Sequence, residues 1–157
     1  MTLAVDSNVL FDILLDDAEH GARSVDLLSA AVEAGQVVIS PVVYAELAAQ
    51  FADSNDLDRF LRDLGIRLAD FDLLGLREAG RAWREYAQRR SAAVQCSRCG
   101  KQFDVQCPAR KSDVRWRQHV VADFLIGGHA VAQAEALLTR DRGYYRTYFP
   151  ALRLWPD

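Results

Sequence analysis

The sequence predicts an α/β fold, a three-layer α/β/α arrangement in which a short parallel sheet is covered by helices on both faces. Two observations carry this. The apolar runs Leu3-Ala4-Val5, Val37-Val38-Ile39 and Ala136-Leu137-Leu138 are continuous, not alternating, as in strands buried on both faces. Between them lie longer segments with apolar residues at helical spacing, and strands that alternate with helices build parallel sheets.

The first strand runs into Asp6, and Asp6 or Ser7 is placed to cap a helix to about residue 15, with Val9, Leu10, Ile13 and Leu14 on its apolar stripe. A second helix is expected over 22–34, stopped by Gly35. After the strand 37–39, Ser40-Pro41 reads as a helix start, a hydroxyl cap followed by proline in the first turn. That helix should reach about residue 51. Another follows over 56–64, then a weak strand at 66–68, then a longer helix over 72–90. Residues 91–113 have little periodicity and read as an insertion between helices, with no strand expected ahead of Cys96. A helix is expected over 116–135, passing through Gly127-Gly128, which form helix poorly. The strand 136–138, a loop over 139–145 and an edge strand at 152–154 complete the chain.

At 157 residues the chain has the length of one domain, here 1–157 with a basic cysteine-containing insertion at about 91–115. No apolar run is long enough to span a bilayer, and the opening Met1-Thr2-Leu3-Ala4-Val5-Asp6 has no basic region before its first acid. A cytoplasmic protein with reduced thiols is expected, and three cysteines agree with that. Between Arg89 and Arg117 stand eight basic residues against Asp104 and Asp113, about +6, which leaves about −9 on the rest. A concentrated basic segment on an acidic body suits a polyanion such as nucleic acid. A solvated charged loop is the plainer reading.

Four acids sit in surroundings wrong for solvated carboxylates. Asp6 and Asp141 follow strands, where open α/β sheets place ligands. Glu46 has Val42, Val43 and Ala49 as helical neighbours, and Asp123 lies inside Val120–Ile126. Each has a plainer role: Asp6 as a cap, Asp141 as a turn residue, Glu46 and Asp123 reaching solvent or an arginine. The remaining acids, Asp12 among them, occur in polar runs and read as surface. If the four converge, two carboxylates about 5 Å apart repel by roughly 3 kcal/mol at an effective dielectric near 20. Such a cluster holds protons or binds cations. Oxygen ligands without histidine suit Mg²⁺ or Mn²⁺, and such a site serves phosphoryl chemistry.

A strand running into Asp6-Ser7-Asn8-Val9-Leu10, then Tyr44-Ala45-Glu46-Leu47, Asp123-Phe124-Leu125-Ile126-Gly127-Gly128-His129-Ala130 and Leu138-Thr139-Arg140-Asp141 together resemble the PIN domain, in order and spacing, over nearly the whole chain outside the cysteine insertion. In size the chain looks most like the VapC toxins of toxin–antitoxin pairs. The resemblance implies a Mg²⁺- or Mn²⁺-dependent endoribonuclease. Asp6, Glu46, Asp123 and Asp141 would be its catalytic, metal-binding carboxylates, with Asn8 and Thr139 orienting Asp6 or a bound water. Turn and cap bonding is the plainer role for Asn8 and Thr139. It also implies in-line attack of a metal-activated water, 5′-phosphate and 3′-hydroxyl ends, a small antitoxin partner and a homodimer. A housekeeping PIN nuclease in RNA processing and a non-catalytic RNA- or partner-binding module are the alternatives. A dehalogenase-type phosphatase would want an acid where Asn8 stands.

The insertion departs from the family pattern. Cys96-Ser97-Arg98-Cys99-Gly100 reads as half of a zinc ribbon, and Cys107-Pro108-Ala109-Arg110 as a second half whose last cysteine is arginine. Zinc on Cys96, Cys99 and Cys107 would need Asp104, Asp113 or His119 as a fourth ligand. Arg98, Lys101, Arg110, Lys111 and Arg115, with Phe103 and Trp116 nearby, are candidate RNA contacts. His129 reads as helix packing. Arg142 and Arg146 either meet substrate phosphates or solubilise their loop.

Overall fold

The computed structural model describes residues 1–89, 94–95, 102–112 and 121–156. In chain order the elements are β1 (Thr2–Val5), α1 (Ser7–Leu14), α2 (Gly21–Ala34), β2 (Gln36–Ile39), α3 (Pro41–Ala48), α4 (Ser54–Asp63), β3 (Ile66–Leu68), α5 (Leu73–Arg89), β4 (Val94–Gln95), β5 (Gln102–Phe103), α6 (Val121–Gln133), β6 (Ala136–Leu138), α7 (Arg142–Tyr148) and β7 (Leu154–Trp155). Five strands form one sheet in the order β3-β2-β1-β6-β7, parallel throughout. The α/β class read from the sequence is the observed one.

Burial explains the continuous apolar runs. Leu3, Ala4 and Val5 of β1 and Ala136, Leu137 and Leu138 of β6 are all buried. Successive strand residues point to opposite faces, so both faces of the central strands are covered. α2 packs on β2 and β6, α6 packs on β1 and β6, and α5 lies against α6. Ser40 caps α3 as its sequence implied, its Oγ accepting from Val43 N–H at 3.3 Å. Gly35 does follow α2, though its φ of 162° is ordinary extended backbone. Glycine is needed there because a Cβ would strike the carbonyl oxygen of Met1.

Gly127 and Gly128 have the same kind of explanation. A Cβ on Gly128 would collide with Gly75 O and the Ala79 backbone, and one on Gly127 with the Phe149 ring. The pair costs α6 intrinsic helix propensity and lets α5 and Phe149 close on it. Phe124, fully buried, then stacks edge-on with Trp83 of α5 and with Tyr144 and Tyr148 of α7.

Two expectations are corrected. The expected loop over 139–145 gives way to α7 at Arg142, because Tyr144, Tyr145, Tyr148 and Phe149 share one apolar side that only a helix can bury together. A strand does precede Cys96: β4 pairs antiparallel with β5, Val94 opposite Phe103 and Gln95 opposite Gln102, as a sheet separate from the main one. The expected helix start near Trp116 lies outside the described residues.

Candidate active site

The site is set by where β1 and β6 end. Val5 is in register with Leu138, and Asp6 N–H donates to Leu138 O at 3.0 Å. Asp6 and Thr139 are thereby neighbours at the carboxyl edge of the sheet. β1 lies between β2 and β6, where successive connections leave in opposite directions, and crevices at such points take ligands in open α/β sheets.

Asp6 occupies the N-cap position of α1, yet its side chain makes no cap bond. Its carboxylate turns instead to the edge of β6. Oδ2 accepts from Thr139 Oγ1 at 2.7 Å and from Asn8 Nδ2 at 2.8 Å. Asn8 is itself held, its Oδ1 accepting from Arg140 N–H at 3.3 Å and its Nδ2 lying 3.2 Å from Thr139 Oγ1. The Tyr145 hydroxyl is a further hydrogen-bond partner of Asp6. Only 5% of Asp6 is exposed. Burial raises its carboxyl, the Asp123 charge adds to this, and the bonds from Thr139, Tyr145 and Asn8 oppose it, leaving the group at about 6 against the usual 3.8. A carboxylate turned away from capping and held by Thr139, Asn8 and Tyr145, with Ser7 Oγ 3.4 Å from its Oδ1, is organised for something other than starting a helix.

Asp123, half-buried on α6, faces the same place, since its charge acts on Asp6, Tyr144 and Tyr145. Asp141 stands at the rim. It is exposed, its N–H donates to Thr139 Oγ1 at 3.1 Å, and its side chain accepts from Tyr144 N–H at 3.4 Å, so it does cap α7. Burial first, then the charges of Asp123, Asp141 and Asp6, with Tyr148 beside them, push the Tyr144 hydroxyl up. The charges of three of the four expected carboxylates therefore reach one buried tyrosine. Glu46 comes from α3, which packs against α1 and α6. Its Oε2 is buried with no hydrogen-bond partner among the described residues. A carboxylate oxygen stripped of water and given no donor is costly.

Sequence reasoning missed Tyr144 and Tyr145, which line the floor of the site. The signal was the aromatic spacing of 144, 145, 148 and 149, hidden by the polar Arg140–Gly143 ahead of it. It also misplaced Asp12. Far from being surface, Asp12 is 3% exposed, accepts from Ser24 Oγ at 2.6 Å and pairs with Arg140 Nε at 3.0 Å. This pair ties α1, α2 and the loop after β6 together. His129 is buried and donates from Nε2 to Ala69 O at 2.8 Å, a packing role as expected.

Of the insertion, Cys96, Cys99, Arg98, Lys101 and Arg115 lie outside the described residues, as do Asp113, Trp116 and His119. Cys107 opens a closed turn in which its N–H donates to Ser112 O and its carbonyl accepts from Lys111 N–H, both at 2.8 Å. Lys111 takes the left-handed conformation, φ 52°. Arg110, Lys111, Phe103 and Asp104 are exposed.

The carboxylates at the sheet edge, Asp6, Asp123 and Asp141, are all-oxygen donors of the kind a hard divalent cation takes, and Glu46 Oε2 on α3 is left without a partner among the described residues. Among the described residues, no three His, Cys, Asp or Glu side chains stand within common reach of one ion. Asp6, Asp123 and Asp141 are near one another without closing on a common point.

The family model described as the PIN domain matches residues 3–150, and the chain belongs to the PIN-domain family. Solved structures share the fold at low identity. VapBC2 from Rickettsia felis, bound to a DNA fragment from its promoter, aligns at 19% identity and TM-score 0.60 over 98% of this chain and 97% of that one. VapBC-1 from nontypeable Haemophilus influenzae aligns at 15% and 0.62 over 98% and 96%. FitAcB from Neisseria gonorrhoeae aligns at 19% and 0.56 over 97% and 95%. A search of curated protein sequences gave no match. No helix among the described residues is long and apolar enough to cross a membrane.

Proposed function

We propose that the chain is a divalent-metal-dependent endoribonuclease, the toxin of a cytoplasmic toxin–antitoxin pair. The observation that carries this is Asp6: a buried carboxylate at the carboxyl edge of a parallel sheet, declining its cap and held by Thr139, Asn8 and Tyr145 beside Asp123. Membership of the PIN family supports the nuclease reading. The likeness to VapBC and FitAcB structures supports an antitoxin partner; a homodimer is part of the same proposal.

In this reading Asp6, Glu46, Asp123 and Asp141 hold Mg²⁺ or Mn²⁺. When bound, the ion polarises the phosphodiester, acidifies water and shields the charge that develops in the transition state. The chain's own residues do the positioning. Thr139 and Asn8 fix the Asp6 carboxylate in one orientation before substrate arrives, as groups behind metal ligands do. Tyr144 and Tyr145, buried beside Asp6 and Asp123, limit water there, which strengthens electrostatic interactions inside the site. Phosphodiester hydrolysis here leaves a 5′-phosphate and a 3′-hydroxyl. Zinc on Cys96, Cys99 and Cys107 has no part in this reading.

The test is cleavage of bulk RNA by the purified chain with EDTA, Mg²⁺ or Mn²⁺, alongside Asp123→Asn. Cleavage by wild type only with metal, and none by the variant, is expected. Metal-independent cleavage, or full activity in the variant, would sink the reading.

A further inference from the structure

A second depression adjoins the carboxylates on the body of the domain. It is about 660 Å³ and is lined by Arg23 and Ser24 of α2, by Thr139 and Arg140, by Arg142 and Arg146 of α7, and by Trp155 at the end of β7. Thr139 belongs to both places: its hydroxyl donates to Asp6 while the residue also walls this cleft. Register explains the proximity, because Trp155 stands opposite Leu138, the residue before Thr139.

The charges in the cleft are unevenly committed. Arg140 is neutralised by buried Asp12 at 3.0 Å, and His20 lies 3.8 Å from Glu19. Arg142 reaches only a backbone carbonyl, Trp155 O at 3.5 Å. Arg23 and Arg146 are exposed, and no described carboxylate lies within ion-pair distance of Arg23, Arg142 or Arg146. The Trp155 indole N–H, buried at the cleft wall, has no acceptor among the described residues. Three guanidinium groups without a carboxylate partner among the described residues, in a body that is acidic outside its insertion, make a site for a chain of anionic oxygens. Guanidinium groups suit phosphate in particular, through paired N–H donors.

We propose that this arginine-lined cleft is the track for the phosphate backbone of the RNA substrate, leading the strand past Thr139 to the carboxylates. This rests on the nuclease reading for the identity of the polyanion, and it moves the main RNA contact from the basic insertion to the body. A cationic track beside an anionic centre also answers how an acidic crevice recruits a polyanion: the arginines offset the repulsion at the approach.

Binding can be read without turnover. The probe is a fluorescein-labelled single-stranded RNA of mixed sequence, followed by anisotropy in EDTA over a range of salt. The proteins are wild type, Arg23→Gln/Arg146→Gln, a control Arg59→Gln/Arg62→Gln on α4, and Arg110→Gln/Lys111→Gln in the insertion, all checked for equal thermal stability. For single strands, each lost phosphate contact lowers the slope of log K against log salt by about 0.7. The cleft variant should therefore lose about 1.4 from the slope and bind RNA weakest, while the α4 control stays near wild type. Poly-glutamate serves as the acidic-peptide comparison. A cleft variant that keeps the wild-type RNA slope overturns the proposal, whether or not it loses poly-glutamate binding. So does loss of the slope in the insertion variant alone. Because EDTA prevents cleavage, failure here is distinct from failure of the nuclease reading, which would appear as absent hydrolysis by wild type with metal.

Discussion

Replacing Asp6 by Asn should stabilise the protein in EDTA, and the gain should grow with pH. The folded carboxyl titrates at about 6 and the unfolded one at 3.8, so folding favours the protonated form. Below the unfolded value both states are protonated and burial costs nothing through this group. As pH rises through the window between the two values the penalty accumulates, and above 6 it is complete, about 3 kcal/mol. Linkage puts the penalty at about 1.6 kcal/mol at pH 5 and about 3 kcal/mol at pH 8. Asn cannot accept as many bonds from Thr139 and Asn8, which costs about 1 kcal/mol for each mispaired group. The variant should thus be near wild type at pH 5 and more stable by roughly 1–2 kcal/mol at pH 8. The pH-dependent increment, about 1.4 kcal/mol, corresponds to roughly 3–6 °C in Tm. Adding Mn²⁺ at a hundred times its Kd should then stabilise wild type by about 2.7 kcal/mol and leave the variant unmoved, reversing their order. Thermal and urea unfolding from pH 5 to 8 measure all of this. A difference that does not change with pH, or a variant less stable throughout in EDTA, would refute the reasoning.

Thr139→Val keeps the shape of the side chain and removes the 2.7 Å bond to Asp6. The metal concentration for half-maximal cleavage should rise roughly 10–100-fold, whereas an unchanged metal response would reduce Thr139 to a structural residue. Tyr145→Phe removes another donor to Asp6. It should push the acid limb of the pH–rate profile upward, because an opposing influence on the raised carboxyl is lost, and a profile that stays put would count against the bond. Gly128→Ala sets a methyl against Gly75 O and Ala79. It should destabilise by about 1–3 kcal/mol or more, read as a fall in the urea midpoint, and a neutral effect would mean that α5 and α6 separate easily. Ser40→Ala should cost about 1 kcal/mol through loss of the α3 cap, measured in the same titration.

The strands of the five-stranded sheet, the helices before residue 90 and the Ser40-Pro41 start were legible because each rests on local chemistry that the sequence states outright; the β4–β5 hairpin was not, since two-residue strands carry no readable period. Asp123 stood out in the sequence as a charge inside an apolar run, and Asp6 as an acid directly after a buried strand. The other losses were matters of tertiary context. α7 was hidden because Arg140-Asp141-Arg142-Gly143 looks like a turn, and only docking against Phe124 shows why Tyr144 and Tyr148 belong on a helix. Asp12 was hidden because its partners, Ser24 and Arg140, are distant in sequence, Arg140 above all. The glycines of α6 could be seen to weaken the helix, but the neighbours that require them, Gly75 and Phe149, could not. The arginine cleft unites α2, α7 and β7, and no segment of the chain carries it alone.

The most direct test is controlled induction of wild type and Asp6→Asn in a bacterial host at matched soluble expression, following growth and total RNA together. Growth arrest with new 5′-phosphate RNA ends in the wild type alone is expected of a catalytic toxin built on Asp6. Arrest and new ends from both proteins, or from neither, would contradict it.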